Sequence, residues 1–182
     1  MVDATKFSIY FLLKAQQPMT ESSEPTDATD ISDMIPESDR LRRGEVPNEE
    51  ARIARSLELA KAAARTAAEN NGRDIVVLDL RLQSSMFDFF VLATGSSRRQ
   101  LHAISEEIDH TLEDDLEDRR IGIEGYSESR WILLDYGSVV IHLFDDETRE
   151  YYSLESLWAD ATQVDISDLL SAVAAEDIRN QS

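Results

Sequence analysis

The chain has 182 residues and carries 18 Lys plus Arg against 37 Asp plus Glu, a formal net charge of -19. That length suits one ordinary domain with tails and leaves two full domains cramped, while such acidity argues against free nucleic acid as the primary ligand, because phosphate binding draws on many local Lys and Arg groups. The absence of cysteine removes disulfides, thiolate metal sites, Cys nucleophiles and thiol redox chemistry together.

The first apolar run, Phe7 to Leu13, follows Lys6 and is far too short to span a bilayer. No small-residue cleavage site follows it, so no export signal is read and a cytoplasmic location without membrane contact is the expectation. From Gln16 to Pro47 the sequence is rich in Ser, Thr, Asp, Glu and Pro, with only scattered apolar residues such as Met34 and Ile35. A segment of this composition cannot bury enough area to offset its ordering entropy, so residues 1–47 are expected to be a disordered or loosely attached acidic extension. Met19 opens a stretch that reads like an ordinary polar amino terminus, and translation from Met19 is a further expectation, checked by the intact mass of the native product.

Order is expected from Asn48, which can accept a first-turn amide while Glu49 and Glu50 suit the positive end of a helix dipole. Ile53, Leu57, Ala60, Ala64 and Ala67 recur at helical spacing, and Asn70-Asn71-Gly72 ends the helix with residues that tolerate a left-handed backbone. Ile75 to Leu80 and Asp88 to Thr94 are short, continuous apolar runs that predict buried strands with helices over both faces. Ser97 and Gln100 have the spacing of a capping box, so a second helix starts there, with Leu101, Ile104, Ile108 and Leu112 on one face, and stops near Asp118. Further strands are predicted at Ile121 to Ile123, Trp131 to Tyr136 and Val139 to Phe144, the last two separated by Gly137-Ser138 at hairpin spacing. Period-two alternation puts Trp131, Leu133 and Asp135 on one face and Ile132, Leu134 and Tyr136 on the other. Asp145 to Thr148 reads as a charged bend, Ser153 as the cap of a short helix carrying Leu154, Leu157 and Trp158, and Ile166 to Ala175 as a last, marginal helix. The expected class is α/β: a single compact domain with a mixed, mostly parallel sheet flanked by helices, spanning 48–165, with 166–182 a carboxy-terminal helix and tail.

Candidate chemistry is sparse. Gly95-Ser96-Ser97 at a strand-to-helix junction could present amides to a phosphate, with Arg98 and Arg99 nearby, but it lacks the lysine and spacing of a phosphate-binding loop; glycine for the turn and serine for the cap explain it without a ligand. His102 and His110 are too far apart for a zinc helix, and no nucleophile-elbow sequence marks a serine. His142 reads either as a satisfied sheet histidine or as a partner-facing one. Asp79, Glu124 and Asp135 lie in or beside strands and could in principle hold magnesium, but isolated carboxylates are common in so acidic a chain, and Asp135-Tyr136-Gly137 reads first as a turn. No catalytic, cofactor or metal residue is therefore assigned. The aromatics Trp131, Tyr136, Tyr151, Tyr152 and Trp158, in acidic surroundings, point to core packing or to a protein-binding face.

Asp88 to Gln100 (DFFVLATGSSRRQ), Glu124-Gly125, Trp131 to Phe144 (WILLDYGSVVIHLF) and Arg149 to Trp158 (REYYSLESLW) together resemble the ribosomal silencing factor family, also called Iojap-like, over about Ala51 to Val164. The resemblance implies a compact α/β domain of nucleotidyltransferase-like topology without transferase activity. It also implies a translational repressor that binds the large ribosomal subunit through ribosomal protein uL14 and sterically blocks joining of the small subunit. The contact face it implies lies around Trp131, Asp135, Tyr136 and His142, with Glu124 nearby; Asp88, Gly95, Ser97 and Gln100 would maintain geometry. An acidic binder would be steered toward basic ribosomal protein. No cofactor is implied, and a homodimer in the free state is left open. The competing readings are a nucleotidyltransferase-like enzyme using Gly95-Ser96 at a phosphate and Asp79 or Asp135 at a metal, and a large-subunit assembly factor.

Overall fold

The computed structural model describes residues 48–180, so the expectations for residues 1–47, including an alternative start at Met19, lie outside the described residues. Helix α1 spans Glu49–Glu69, and the Asn48 side chain accepts from the Ala51 amide at 2.7 Å. Its inward face is Leu59, Ala60, Ala63, Ala64 and Ala67, rotated from the predicted stripe so that Ile53 and Leu57 lie only half-buried. The alanines let the helix axis approach the sheet closely. Asn71 takes a φ of 59°, and a Cβ on Gly72 would stand 2.7 Å from the Ala67 carbonyl oxygen, so the predicted stop is enforced by backbone.

Strands β1 (Arg73–Asp79) and β2 (Phe89–Thr94) follow, then helix α2 (Arg98–His110), a π-helical turn at Thr111–Asp115, and strands β3 (Gly122–Glu124), β4 (Trp131–Asp135) and β5 (Val139–Phe144). Helices α3 (Asp146–Tyr152) and α4 (Leu154–Leu157), strand β6 (Thr162–Gln163) and helix α5 (Ser167–Asn180) complete the described chain. The sheet order is β3-β4-β5-β2-β1-β6.

The expectation of a mostly parallel, nucleotidyltransferase-like sheet is wrong. Only β2 and β5 pair in parallel; β1/β2, β1/β6, β3/β4 and β4/β5 are antiparallel, and the sheet is open, with β3 and β6 as its edges. The reason is the connections. A parallel pair needs a long crossover: α2 carries the chain from β2 to β3, and the antiparallel β3–β4–β5 meander then brings β5 back beside β2 in the same sense. The β1–β2 link is a helix-free loop, and β4 turns directly into β5, with the Tyr136 amide donating to the Val139 carbonyl at 3.0 Å.

The faces are unequal. On the first, α1, α2 and α5 cover Val77, Phe89, Val91, Ala93, Ile132, Leu134, Val139, Ile141 and Leu143. On the second, Leu78, Phe90, Leu92, Trp131, Leu133, Val140 and Phe144 meet Leu80 and Phe87 from the β1–β2 loop, and Tyr152, Leu154 and Trp158 from the α3–α4 segment. Helices α3 and α4 have only 7 and 4 residues. The predicted charged bend is in fact the start of α3: Asp145 accepts from the Thr148 amide at 2.7 Å, with Asp146 and Glu147 in the first turn. Ser153 does not cap α4; it sits at φ 42° in the left-handed region as the kink between the two helices.

Candidate partner-binding face of the sheet

Strand register decides which predicted residues share a surface. Glu124 pairs with Leu133, Leu133 with His142 and His142 with Leu92, while Asp135 pairs with Val140 and Trp131 with Phe144. Directly paired residues project to the same side, so Glu124, Trp131, Asp135 and His142 all belong to the second face. Tyr136 does not. It packs in the first-face core at 5% exposure, and its hydroxyl donates to Asp109 Oδ1 at 2.6 Å, while Asp109 also pairs with Arg120. Burial pushes the Tyr136 phenol above its usual range, so it remains a neutral donor. We expect Tyr136→Phe to cost about 1–3 kcal/mol in urea unfolding, the range for a hydrogen bond to a charged acceptor; an unchanged midpoint would show that the Asp109 bond contributes nothing.

His142 is fully buried, and desolvation holds its pKa down to about 3, so the ring is neutral at any physiological pH. Trp131 Nε1 donates to His142 Nδ1 at 3.2 Å, which places the ring proton on Nε2. Phe90 meets the imidazole edge-on at 4.8 Å. His142 and Trp131 thus build the floor of the face from below rather than presenting polar atoms on it. Asp135 is half-buried and accepts from the Gly137 amide at 2.8 Å, holding the hairpin in which Gly137 takes a φ of 81°. Glu124 alone among the five predicted contact residues is exposed, at the end of edge strand β3.

The rim carries Tyr151, already among the candidate binding aromatics of the sequence, together with Leu157, Leu82 and Met86, which the sequence reading did not place in the site. Tyr151 is 79% exposed and stacks edge-on against Tyr152, which in turn meets Trp131 at 4.9 Å. Leu157, 64% exposed, precedes Trp158, whose ring stands over Phe90 at 5.7 Å. Leu82 and Met86 are exposed in the β1–β2 loop, which Gln83 ties to the Asp160 carbonyl at 2.8 Å. A leucine and a methionine inside the otherwise polar stretch Arg81 to Ser85 and its continuation, with no strand or helix period to bury them, were the available signal. An apolar rim with Glu124 and Asp135 at one side can seat a basic protein with apolar anchors.

Elsewhere the candidate sites resolve into structure. The Ser96 amide donates to Gln100 Oε1 at 2.7 Å, and Gln100 Nε2 donates to the carbonyls of Asn70 at 3.0 Å and Asn71 at 2.8 Å, so the junction clamps α2 to the end of α1. Its amide is taken, and a Cβ at Gly95 would lie 2.6 Å from Leu101 Cδ2, which makes the glycine a packing requirement. Asp79 is held by Arg81 at 2.5 Å, and that hydrogen bond lowers its pKa. Asp79 lies on β1, separated from β4 by β2 and β5, so it does not converge with Asp135 or Glu124. Among the described residues no group of three His, Asp or Glu side chains could hold a metal ion. His102 Nε2 lies 2.9 Å from the Tyr126 carbonyl, contacts Ser129 Oγ, and stacks on the Tyr126 ring at 4.1 Å, fixing the β3–β4 loop on α2. His110 pairs at 2.5 Å with Asp114, whose hydrogen bond raises the imidazole pKa. No helix among the described residues is long and apolar enough to cross a membrane.

Comparison with known proteins agrees with the pattern of residues. A ribosomal silencing factor RsfS of Halalkalibacterium halodurans is 35% identical over 115 residues, which is 63% of this chain and 97% of that protein. The RsfS of Bacillus subtilis is 38% identical over 109 residues, 59% of this chain and 91% of that protein. A crystal structure of a Chromobacterium violaceum protein superposes with a TM-score of 0.55 at 33% identity, covering 57% of this chain and 85% of that one. The family model described as "ribosomal silencing factor during starvation" matches residues 53–182, and the chain therefore belongs to the ribosomal silencing factor family.

Proposed function

We propose that the chain represses translation by seating the second face of its sheet on the large ribosomal subunit, at protein uL14, and so occupying the surface the small subunit needs for joining. The observation that carries the reading is the exposed apolar rim, Leu82, Met86, Tyr151 and Leu157, above a sheet face whose motif residues match the family. The net charge of -19 supports it, since a negative surface is steered toward basic ribosomal protein and speeds encounter at low salt. The site of action in this reading is the cytoplasm, where ribosomes translate.

The test is sedimentation of purified large subunits with the protein. Stoichiometric co-migration is expected, and a Tyr151→Asp, Leu157→Asp double variant is expected to bind about 100-fold more weakly, the size of a hot-spot loss. Both residues are exposed, so the variant should melt where the parent does. Tyr136→Phe should bind as the parent does, because its ring lies on the other face. Failure of the parent to co-migrate would overturn the reading. Co-migration that leaves subunit joining untouched would mark an assembly factor instead.

A further inference from the structure

The rim residues Tyr151 and Leu157 are carried by the α3–α4 segment, whose two helices are too short to hold their shape alone. Leu154 is the one buried side chain of α4, and Ser153 between the helices sits at φ 42°, a left-handed backbone that strains any residue with a Cβ. Arg149 crosses this kink. Its Nε and Nη2 both donate to Glu155 Oε1, at 2.9 and 2.5 Å, and its Nη1 donates to Thr94 Oγ1 at 2.7 Å. Thr94 is the buried last residue of β2, and the Arg149 side chain is itself only 12% exposed, so the pair is shielded from the screening that weakens surface ion pairs. Arg130 holds only the start of α3, through Asp145 and Glu147.

Arg149 and Glu155 are six residues apart. On one continuous helix that spacing would set them about 9 Å apart along the axis and on different faces, so the pair closes only when the chain turns at Ser153. We propose that Arg149 is a positioning residue for partner binding: forked between the end of β2 and Glu155, it selects the kinked backbone and fixes how Tyr151 and Leu157 stand above the sheet face. Tyr151 lies two residues beyond Arg149 and Leu157 two beyond Glu155, so one guanidinium indexes both. Without the fork the two side chains would sample several positions, and seating a partner would have to order them. A lysine cannot take its place, because a single ammonium on a flexible stem lacks the rigid set of donors that reaches both acceptors. The effect on binding rests on the proposed function of this face; the clamp itself does not.

The experiment measures large-subunit affinity by sedimentation, together with thermal melting, for Arg149→Lys and Glu155→Gln in the full chain. Affinity should fall about tenfold in the first and about threefold in the second, while both melt within about 4 °C of the parent. Glu155 is part-exposed, so Glu155→Gln keeps the test intact if Arg149→Lys folds poorly. In a Tyr151→Ala, Leu157→Ala background the same two substitutions should change affinity less than about twofold, because a residue acting through the rim has nothing left to position. Unchanged affinity in both variants overturns the proposal. So does a loss that persists in full on the truncated rim, which would make Arg149 a direct contact. A Trp131→Phe form of each chain leaves Trp158, the residue after Leu157, as the only tryptophan. Its acrylamide quenching should be about twofold stronger with either substitution, as the freed segment opens locally. Equal quenching means that the kink needs no clamp and overturns the proposal even where affinity falls. A parent chain that binds no large subunit removes the proposed function, and the quenching result then decides the clamp alone.

Discussion

Trp131→Ala is expected to lower unfolding stability by about 3–5 kcal/mol, the usual loss for truncating a buried aromatic. The ring is 6% exposed and lies 4.9 Å from Phe144 and 4.9 Å from Tyr152, so truncation leaves a cavity that the rigid strands on either side cannot close. It also removes the donor to His142 Nδ1. Trp131→Phe separates the two contributions: it keeps most of the apolar contact and should lose only about 1–2 kcal/mol, the net worth of the hydrogen bond and residual volume. Urea unfolding with an unchanged m-value is the measurement. A loss under 1 kcal/mol for Trp131→Ala would mean that the ring is a solvent-facing contact residue and not part of the floor.

The second large effect is acid lability through His142. Its folded pKa, about 3, lies below the ordinary value of 6.5, so below pH 6.5 the unfolded chain takes up a proton that the folded chain refuses. The stabilisation this group contributes is complete above pH 6.5 and is lost as pH falls toward the folded pKa. The slope approaches 1.4 kcal/mol per pH unit, so roughly 3 kcal/mol should be gone by pH 4. Acid also relieves repulsion among the carboxylates, a change of opposite sign, so the comparison must be with His142→Gln, which keeps the other groups. Between pH 6.5 and 5, where the carboxylates titrate little, the parent should lose about 2 kcal/mol more than the variant. Parallel stability curves over that window would show that the imidazole is not desolvated.

Local signals in the sequence were read well where they were self-contained. Asn48 and Ser97 cap their helices, Asn71-Gly72 stops α1, and Gly137 turns the β4–β5 hairpin, because each acts through a bond or a backbone angle a few residues away. The sense of strand pairing was misread because it is a property of connections: nothing in Ile75 to Leu80 says that β1 will lie antiparallel to β2, whereas the helix-free loop between them does. Helix α3 was missed because Asp145-Asp146-Glu147 is equally a charged bend and a capped first turn. Alternation correctly separated Tyr136 from Trp131 and Asp135, yet the family resemblance gathered them again into one contact face. Which side chains end up exposed depends on what crosses the sheet: Tyr151 and Leu157 stay exposed on either side of the kink at Ser153, whose left-handed backbone no nearby glycine announces.

Subunit joining followed by light scattering, with large subunits preincubated with the protein before small subunits are added, addresses the central claim most directly. The parent chain should suppress joining in proportion to its occupancy of the large subunit, and the Tyr151→Asp, Leu157→Asp variant should restore it at equal concentration. Joining that proceeds unhindered on large subunits saturated with the parent, or that the rim variant suppresses equally well, would contradict a blocking role for the second face of the sheet.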